Sequence, residues 1–429
     1  MAATNNIITL HRHDLDNLRT ALTILVIAHH VAAFYGGSGD FGLESAFFKG
    51  KSPLLVAFNG FNQSFFMGLF FWISGRMSAQ SLARSQSPYM FLRQKLLRLG
   101  VPTLVYSATV VPLEHILRLP TWDRVSVMST LKMAWVGWRG ARGLVWYTAT
   151  LLMFDLFSFL LAEAAEPLGV QRWARTISYD ALSRCGWLGV FGVSFLIRTR
   201  YPINLENQLP LISGHPGYLA QYVYAYVLGF LAFHQREPRM KSLFESVTAN
   251  GNGPVLKGIN SGDKCKGRVL SLSKATALSV GTMLLSSAPA LLNLRGDQLM
   301  ENAKHLLGGW TFSAALYALW NEFSFIIVGP ALMALFQKRY NSPGASALWP
   351  SRYSYAAYLV HIPLCLVTVR LVDLALCAGG NAQEWIGSPA WKVIGPVVMT
   401  VAVTMMNSVA SFSLGQWLVK RVPGVHKVL

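Results

Sequence analysis

The sequence predicts an all-α fold, a polytopic transmembrane helix bundle of about ten spans, and three observations carry that prediction. Of its 429 residues 53% are hydrophobic and 13% charged, with a mean hydropathy of +0.38, which is more apolar side chain than a water-soluble domain can hide. The apolar residues fall into runs long enough to cross a bilayer. The Lys and Arg residues gather between those runs rather than along one soluble face, so the net charge of +18 reads as topology and an anionic ligand, not as nucleic-acid binding.

In chain order the expected spans are residues 17–36, 55–79, 97–114, 144–163, 183–201, 217–235, 275–293, 309–336, 354–376 and 390–418. The fifth is the thinnest, diluted by Gly186, Gly189 and Gly192 and reached early by Arg198. With ten spans both termini share a side. That side carries 23 of the 37 basic residues against 13 on the other, with Arg19 inside the first span, so the positive-inside rule places both termini in the cytosol. The first run follows a polar arm containing Arg12 and lacks a small-residue cleavage site, so it is expected to insert and remain. A single membrane-embedded domain is expected over residues 1–429. Within it, residues 236–274 read as a flexible cytosolic loop because of Asn250-Gly-Asn-Gly-Pro254 and Ser261-Gly-Asp263. Cys185, Cys265, Cys365 and Cys377 have no metal-type spacing and suggest neither a disulfide framework nor a zinc site.

Chemistry concentrates first on the leading span. Arg19 and His30 are eleven residues apart, about three helical turns, so both leave one face roughly 16 Å apart along the axis. A long cofactor with an anionic end and a reactive far end, the shape of coenzyme A, would put its charge at Arg19 and its chemistry at His30. The plainer reading is a snorkelling arginine and histidines satisfied within the bundle. His29 points about 100° away and suits a structural role. After Ser74, the residues Arg93, Lys95 and Arg98 form a basic patch on the side of Arg19, fit for phosphates or simply for retaining a cytosolic loop. Glu322 falls at mid-membrane depth, where a carboxylate is either a partner for Arg or His or an active-site acid. His361 is open to structural, ligand-binding or catalytic use. Nucleophile elbows, P-loops and His-Glu-x-x-His are absent, so any enzymatic chemistry belongs to an embedded histidine.

Taken together these stretches resemble the acyltransferase-3 family of integral membrane O-acyltransferases. The resemblance rests on Arg19-x10-His30, Phe70-Phe71-x-x-Ser74-Gly75, the basic run before Pro102, Leu144-Val-Trp146-Tyr147, Gln221-Tyr222 with Gly229, Trp320 with Glu322, and Tyr355 to His361, in that order over almost the whole chain. Lys95 stands where the family usually has the first Arg of an Arg-x-x-Arg pair, and Arg76 where an aromatic is more usual. The resemblance implies transfer of an acyl group, most often acetyl, from acyl-CoA to a hydroxyl, with no metal. His30 is then the general base and Glu322 its partner or the acceptor's, a short-lived acyl-histidine being the other use of the imidazole. Arg19, Arg93, Lys95 and Arg98 would hold the phosphates, with Ser74, Trp146, Tyr147 and His361 completing the donor site. The expected acceptor is a small lipophilic secondary metabolite such as a terpenoid or polyketide, with a carbohydrate as the alternative. The expected membrane is the endoplasmic reticulum or another internal membrane in a eukaryote, the inner membrane in a bacterium. A transporter relaying protons or anions through Arg19, His30 and Glu322 is the competing class, although no inverted repeat is visible, and a silent scaffold is a third.

Overall fold

The computed structural model describes residues 11–39, 43–120, 122–137, 140–164, 177–203, 208–209, 211–248, 269–291, 306–343, 349–378 and 388–428. Twelve helices are labelled here: α1 (His13–Phe34), α2 (Pro53–Arg84), α3 (Pro88–Arg118), α4 (Arg124–Val136), α5 (Trp146–Ala164), α6 (Tyr179–Arg200), α7 (Pro216–Thr248), α8 (Leu272–Leu291), α9 (Phe312–Arg339), α10 (Ser354–Ala378), α11 (Pro389–Arg421) and α12 (Val425–Val428). Eight of them are long and apolar enough to cross a membrane, and α7 and α8 supply the other two of the ten expected stretches. Among the described residues there is no strand, and the protein is an all-α integral membrane bundle.

Helix starts are written in the sequence. Ser87, Asp123, Ser178, Thr311 and Ser388 cap α3, α4, α6, α9 and α11 by accepting the backbone N–H three residues on, which satisfies a donor the helix cannot. Asp14 and Asp16 occupy the first turn of α1, where the helix dipole favours negative charge. The α1 helix runs through the middle of the bundle against α2, α9, α10 and α11 and buries Leu18, Leu22, Val26, Ile27 and Val31. Its entry is tied to the end of α9, where Asn17 Nδ2 donates to the Tyr340 carbonyl at 2.6 Å.

Two glycines let α2 and α7 approach closely. A Cβ at Gly75 would collide with the Tyr226 carbonyl, and one at Gly229 with the Trp72 carbonyl. The glycine of Ser74-Gly75 is therefore a packing requirement, and it draws the tyrosines of α7 against the site helices.

Three features depart from the sequence reading. Residues 91–98 are not a loop: α2 runs to Arg84, and α3 begins at Pro88 as one rod through Arg118. That rod contains two π-helical turns, Leu96–Gly100 and Tyr106–Val110, each just ahead of a proline, Pro102 and Pro112. Proline offers no N–H to the carbonyl four residues back, and a wider turn relieves the mismatch. The carbonyl that Pro102 leaves behind, that of Arg98, accepts the Tyr355 hydroxyl at 3.2 Å. Secondly, α7 stays helical to Thr248, past the expected boundary at 235, while residues 249–268 of the loop expected at 236–274 lie outside the described residues, as does Cys265. Thirdly, α4 was not expected. It buries no side chain, and Val125, Met128, Trp135 and Val136 are exposed, so it has no core-facing stripe to read.

Candidate active site

A cavity of about 910 Å³ lies where α1 and α10 begin and α2 ends. Arg84, Arg98 and Arg352 stand exposed on its wall, with Arg19, Ser74, Lys95, Tyr147, Tyr355 and Tyr358 also lining it. Arg19 is engaged at both terminal nitrogens: Nη2 donates to the Ser351 carbonyl at 3.0 Å and lies 3.5 Å from Asp16 Oδ1, and Nη1 donates to Met77 Sδ at 3.9 Å, while buried Nε has no partner among the described residues. The thioether is a weak acceptor, so Nη1 is the donor that an anion in the cavity would most readily take over. Ser74 Oγ and Tyr147 Oη are hydrogen-bonded at 2.7 Å on the inner wall. Trp146 stands behind that wall, packed on Phe71 and Tyr222 with ring centroids 6.4 and 5.6 Å away.

The basic patch read from the sequence is divided in the fold. Lys95 Nζ makes a buried ion pair with Asp155 at 2.9 Å and donates to Ser78 Oγ at 2.7 Å, while the other Asp155 oxygen takes the Tyr226 hydroxyl at 2.7 Å. Its charge is balanced within the protein. Arg93 is exposed and is not among the described residues that line the cavity. Arg98 stands exposed on the cavity wall, within the π turn that follows Lys95. Arg84 and Arg352, at the ends of α2 and just before α10, replace them at the mouth.

Deeper in the bundle α1 meets α10 through two imidazoles. His30 Nδ1 lies 2.7 Å from His361 Nε2, the rings nearly parallel at 7°, and His361 Nδ1 lies 2.6 Å from the Tyr358 carbonyl. A carbonyl only accepts, so His361 Nδ1 carries the proton. In a neutral His361 the Nε2 is then the acceptor, and His30 must donate from Nδ1. The basic lone pair of a neutral His30 therefore sits on Nε2. Tyr358 also lines the cavity, so the histidine pair is joined to that wall through one residue. His30 itself is not among the described lining residues. It lies seven positions beyond Thr23, which does line the cavity, about 10 Å along the axis. His29 faces elsewhere, stacked on Phe66 with centroids 5.1 Å apart.

Glu322 is 1% exposed and held by two amides, Gln221 Nε2 at 3.1 Å and Asn321 Nδ2 at 3.0 Å, with Gln221 also donating to the Ser64 carbonyl at 3.1 Å. The carboxylate thus joins α9, α7 and α2. Among the described residues its nearest partners are amides, not His30. At the mouth His11, His13 and Asp16 bring ligating atoms within 4.8 Å of one another, and His11 Nε2 engages Asp16 Oδ2 at 2.6 Å.

The bundle thus holds an arginine-lined cavity at one end and an imidazole pair deeper along α1. A family model described as an acyltransferase domain matches residues 12–407, nearly the whole chain, and the protein belongs to the acyltransferase-3 family of O-acyltransferases. No curated protein and no solved structure matches it. Sequence reasoning missed Asp155, Arg84 and Arg352. An aspartate inside an apolar run was the available signal for the first, and the arginines became legible only once the helix ends were placed.

Proposed function

We propose that this acyltransferase transfers acetyl from acetyl-CoA to the hydroxyl of a small, predominantly lipophilic acceptor, with His30 as general base. The observation that carries the reading is the ordered pair of imidazoles, which orients His30 and places the lone pair of its neutral form on Nε2. The acceptor hydroxyl attacks the thioester carbonyl as Nε2 takes its proton. The tetrahedral intermediate then collapses, the CoA thiolate leaves, and the imidazolium returns the proton to it. The products are the ester and free CoA. His361 is a positioning residue: it fixes the tautomer and ring plane of His30 and spreads the imidazolium charge.

Arg19, Arg84, Arg98 and Arg352 would meet the donor's phosphates at the mouth, where the guanidinium fork suits phosphate oxygens. Ser74 and Tyr147 lie on the path inward. The excess of basic residues toward the termini supports a cytosolic mouth, where acetyl-CoA is made, in an internal membrane of a eukaryote or the inner membrane of a bacterium.

The test is release of free thiol from acetyl-CoA by the purified protein, with 1-octanol and 8-hydroxyoctanoate as surrogate acceptors. His30→Ala should lower the rate by about 10² to 10⁴, the usual worth of a general base, while CoA still raises the melting temperature of the variant as it does that of the wild type. Equal rates in variant and wild type would remove His30 from the chemistry. A wild type without thiol release would favour the transporter reading.

A further inference from the structure

The mechanism leaves one fully buried cation unused. Arg198, near the end of α6, is 0% exposed. Its Nε is anchored on the Gly217 carbonyl at 3.4 Å, and the rings of Tyr218 and Tyr317 pack on the guanidinium with centroids 4.8 and 5.2 Å away. Both terminal nitrogens, Nη1 and Nη2, are buried and have no hydrogen-bond partner among the described residues; buried Glu322 of α9 lies within electrostatic reach but forms no ion pair with it. A desolvated guanidinium with an empty fork is costly, and a glutamine or leucine would fill the space without that cost.

Arg198 lies beyond the inner end of the cavity, as the histidines do. Along α7, Tyr226 bonds Asp155 at the cavity's inner layer, Tyr222 bonds Gln63 of α2 one turn further, and Tyr218 reaches Arg198 one turn beyond that. On α2 the neighbour of Gln63 is Phe66, on which His29 stacks. The layer between is rich in orphaned polar atoms: Asn62 Nδ2, Gln221 Oε1 and Asn321 Oδ1 are all buried without partners among the described residues. Such atoms are ordinarily satisfied by water or by a ligand.

We propose that Arg198 is the docking point for a carboxylate carried by the hydroxylated acceptor, the orphaned amides meeting its other polar groups. A planar carboxylate matches the end-on fork that the anchored Nε leaves open, two oxygens against Nη1 and Nη2. The acceptor class is therefore a hydroxy acid with an apolar body. The inference rests on the acyl-transfer reading for what the bound acid is for, but not for whether it binds.

The test measures binding of benzoate to the purified full-length protein, with benzyl alcohol as the neutral isostere, inorganic phosphate as the tetrahedral anion and CoA as the donor-site control. Wild type should bind benzoate and not benzyl alcohol, and Arg198→Gln should bind benzoate at least about tenfold more weakly while CoA binding is unchanged. Gly217→Ala is the second variant: its Cβ would come within 2.8 Å of Arg198 Cγ and displace the fork without removing the charge, so benzoate should weaken there too. Repeating the measurement in bilayers with and without phosphatidylglycerol separates the sources, since a site that serves a lipid headgroup loses benzoate when the anionic lipid is added. The proposal is overturned if benzoate does not bind wild type, binds Arg198→Gln equally, or is displaced by phosphatidylglycerol or phosphate as readily as by another carboxylate. Benzoate binding through Arg198 with no response to CoA would keep the anion site and count against the acyltransferase reading instead.

Discussion

At the scale of single residues the account turns on His361. It reaches His30 across 331 positions of sequence with a 2.7 Å contact, and its own orientation is fixed by the Tyr358 carbonyl. His361→Ala should slow thiol release by at least about tenfold, as loss of an imidazole's orienting partner generally does. His361→Gln, whose amide oxygen can accept from His30 Nδ1, should recover part of it. Both variants should keep wild-type CoA binding, and equal rates in the two would argue that the ring only fills space. Both histidines must be neutral for the relay to work, so the rate should fall as the pH is lowered, a loss that a pH–rate profile of the wild type will show. At the mouth, Arg98→Ala should weaken CoA about tenfold, the size of one charge-assisted contact, measured as the ligand concentration needed for half-maximal thermal stabilisation. The Arg19 to His30 spacing was legible because both residues lie on one uninterrupted helix. The histidine pairing was not, because nothing local in Tyr355 to His361 says which helix it will face.

Elements decide which of the sequence's basic residues reach the cavity. A regular helix through residues 91–102 would present Lys95 and Arg98 together. A π turn ahead of Pro102 intervenes instead, and although both residues line the cavity, Lys95 is paired with Asp155 while Arg98 stands exposed. Asp155→Ala leaves a buried ammonium uncompensated and should cost about 3–5 kcal/mol of stability, seen as a lowered melting temperature with or without CoA. The α2–α7 contact is equally exposed to test. Gly229→Ala forces a methyl into the Trp72 carbonyl, and the helices must separate, so a loss of at least about 1–3 kcal/mol, the cost of overpacking a close interface, is expected in the same measurement. Helix positions followed from apolar runs and could be read directly. The π turns could have been suspected from Pro102 and Pro112 alone, whereas the ion pair could not, since Asp155 sits in a different apolar stretch with no spacing relation to Lys95.

For the molecule as a whole, the +18 charge is a guide to topology and, on the proposed function, part of what draws the anionic donor to its site. Four arginines around one cavity attract a polyanion at long range, so the acetyl-CoA concentration for half-maximal rate should rise with salt. The most direct test of the central claim is covalent mapping with bromoacetyl-CoA, whose electrophilic carbon sits where the acetyl group of the substrate would be. If the arginine-lined cavity delivers the thioester to the imidazole, peptide mass spectrometry will find alkylation at His30, suppressed by excess CoA and slowed in Arg98→Ala. Labelling confined to other residues, or labelling of His30 that ignores CoA, would contradict it.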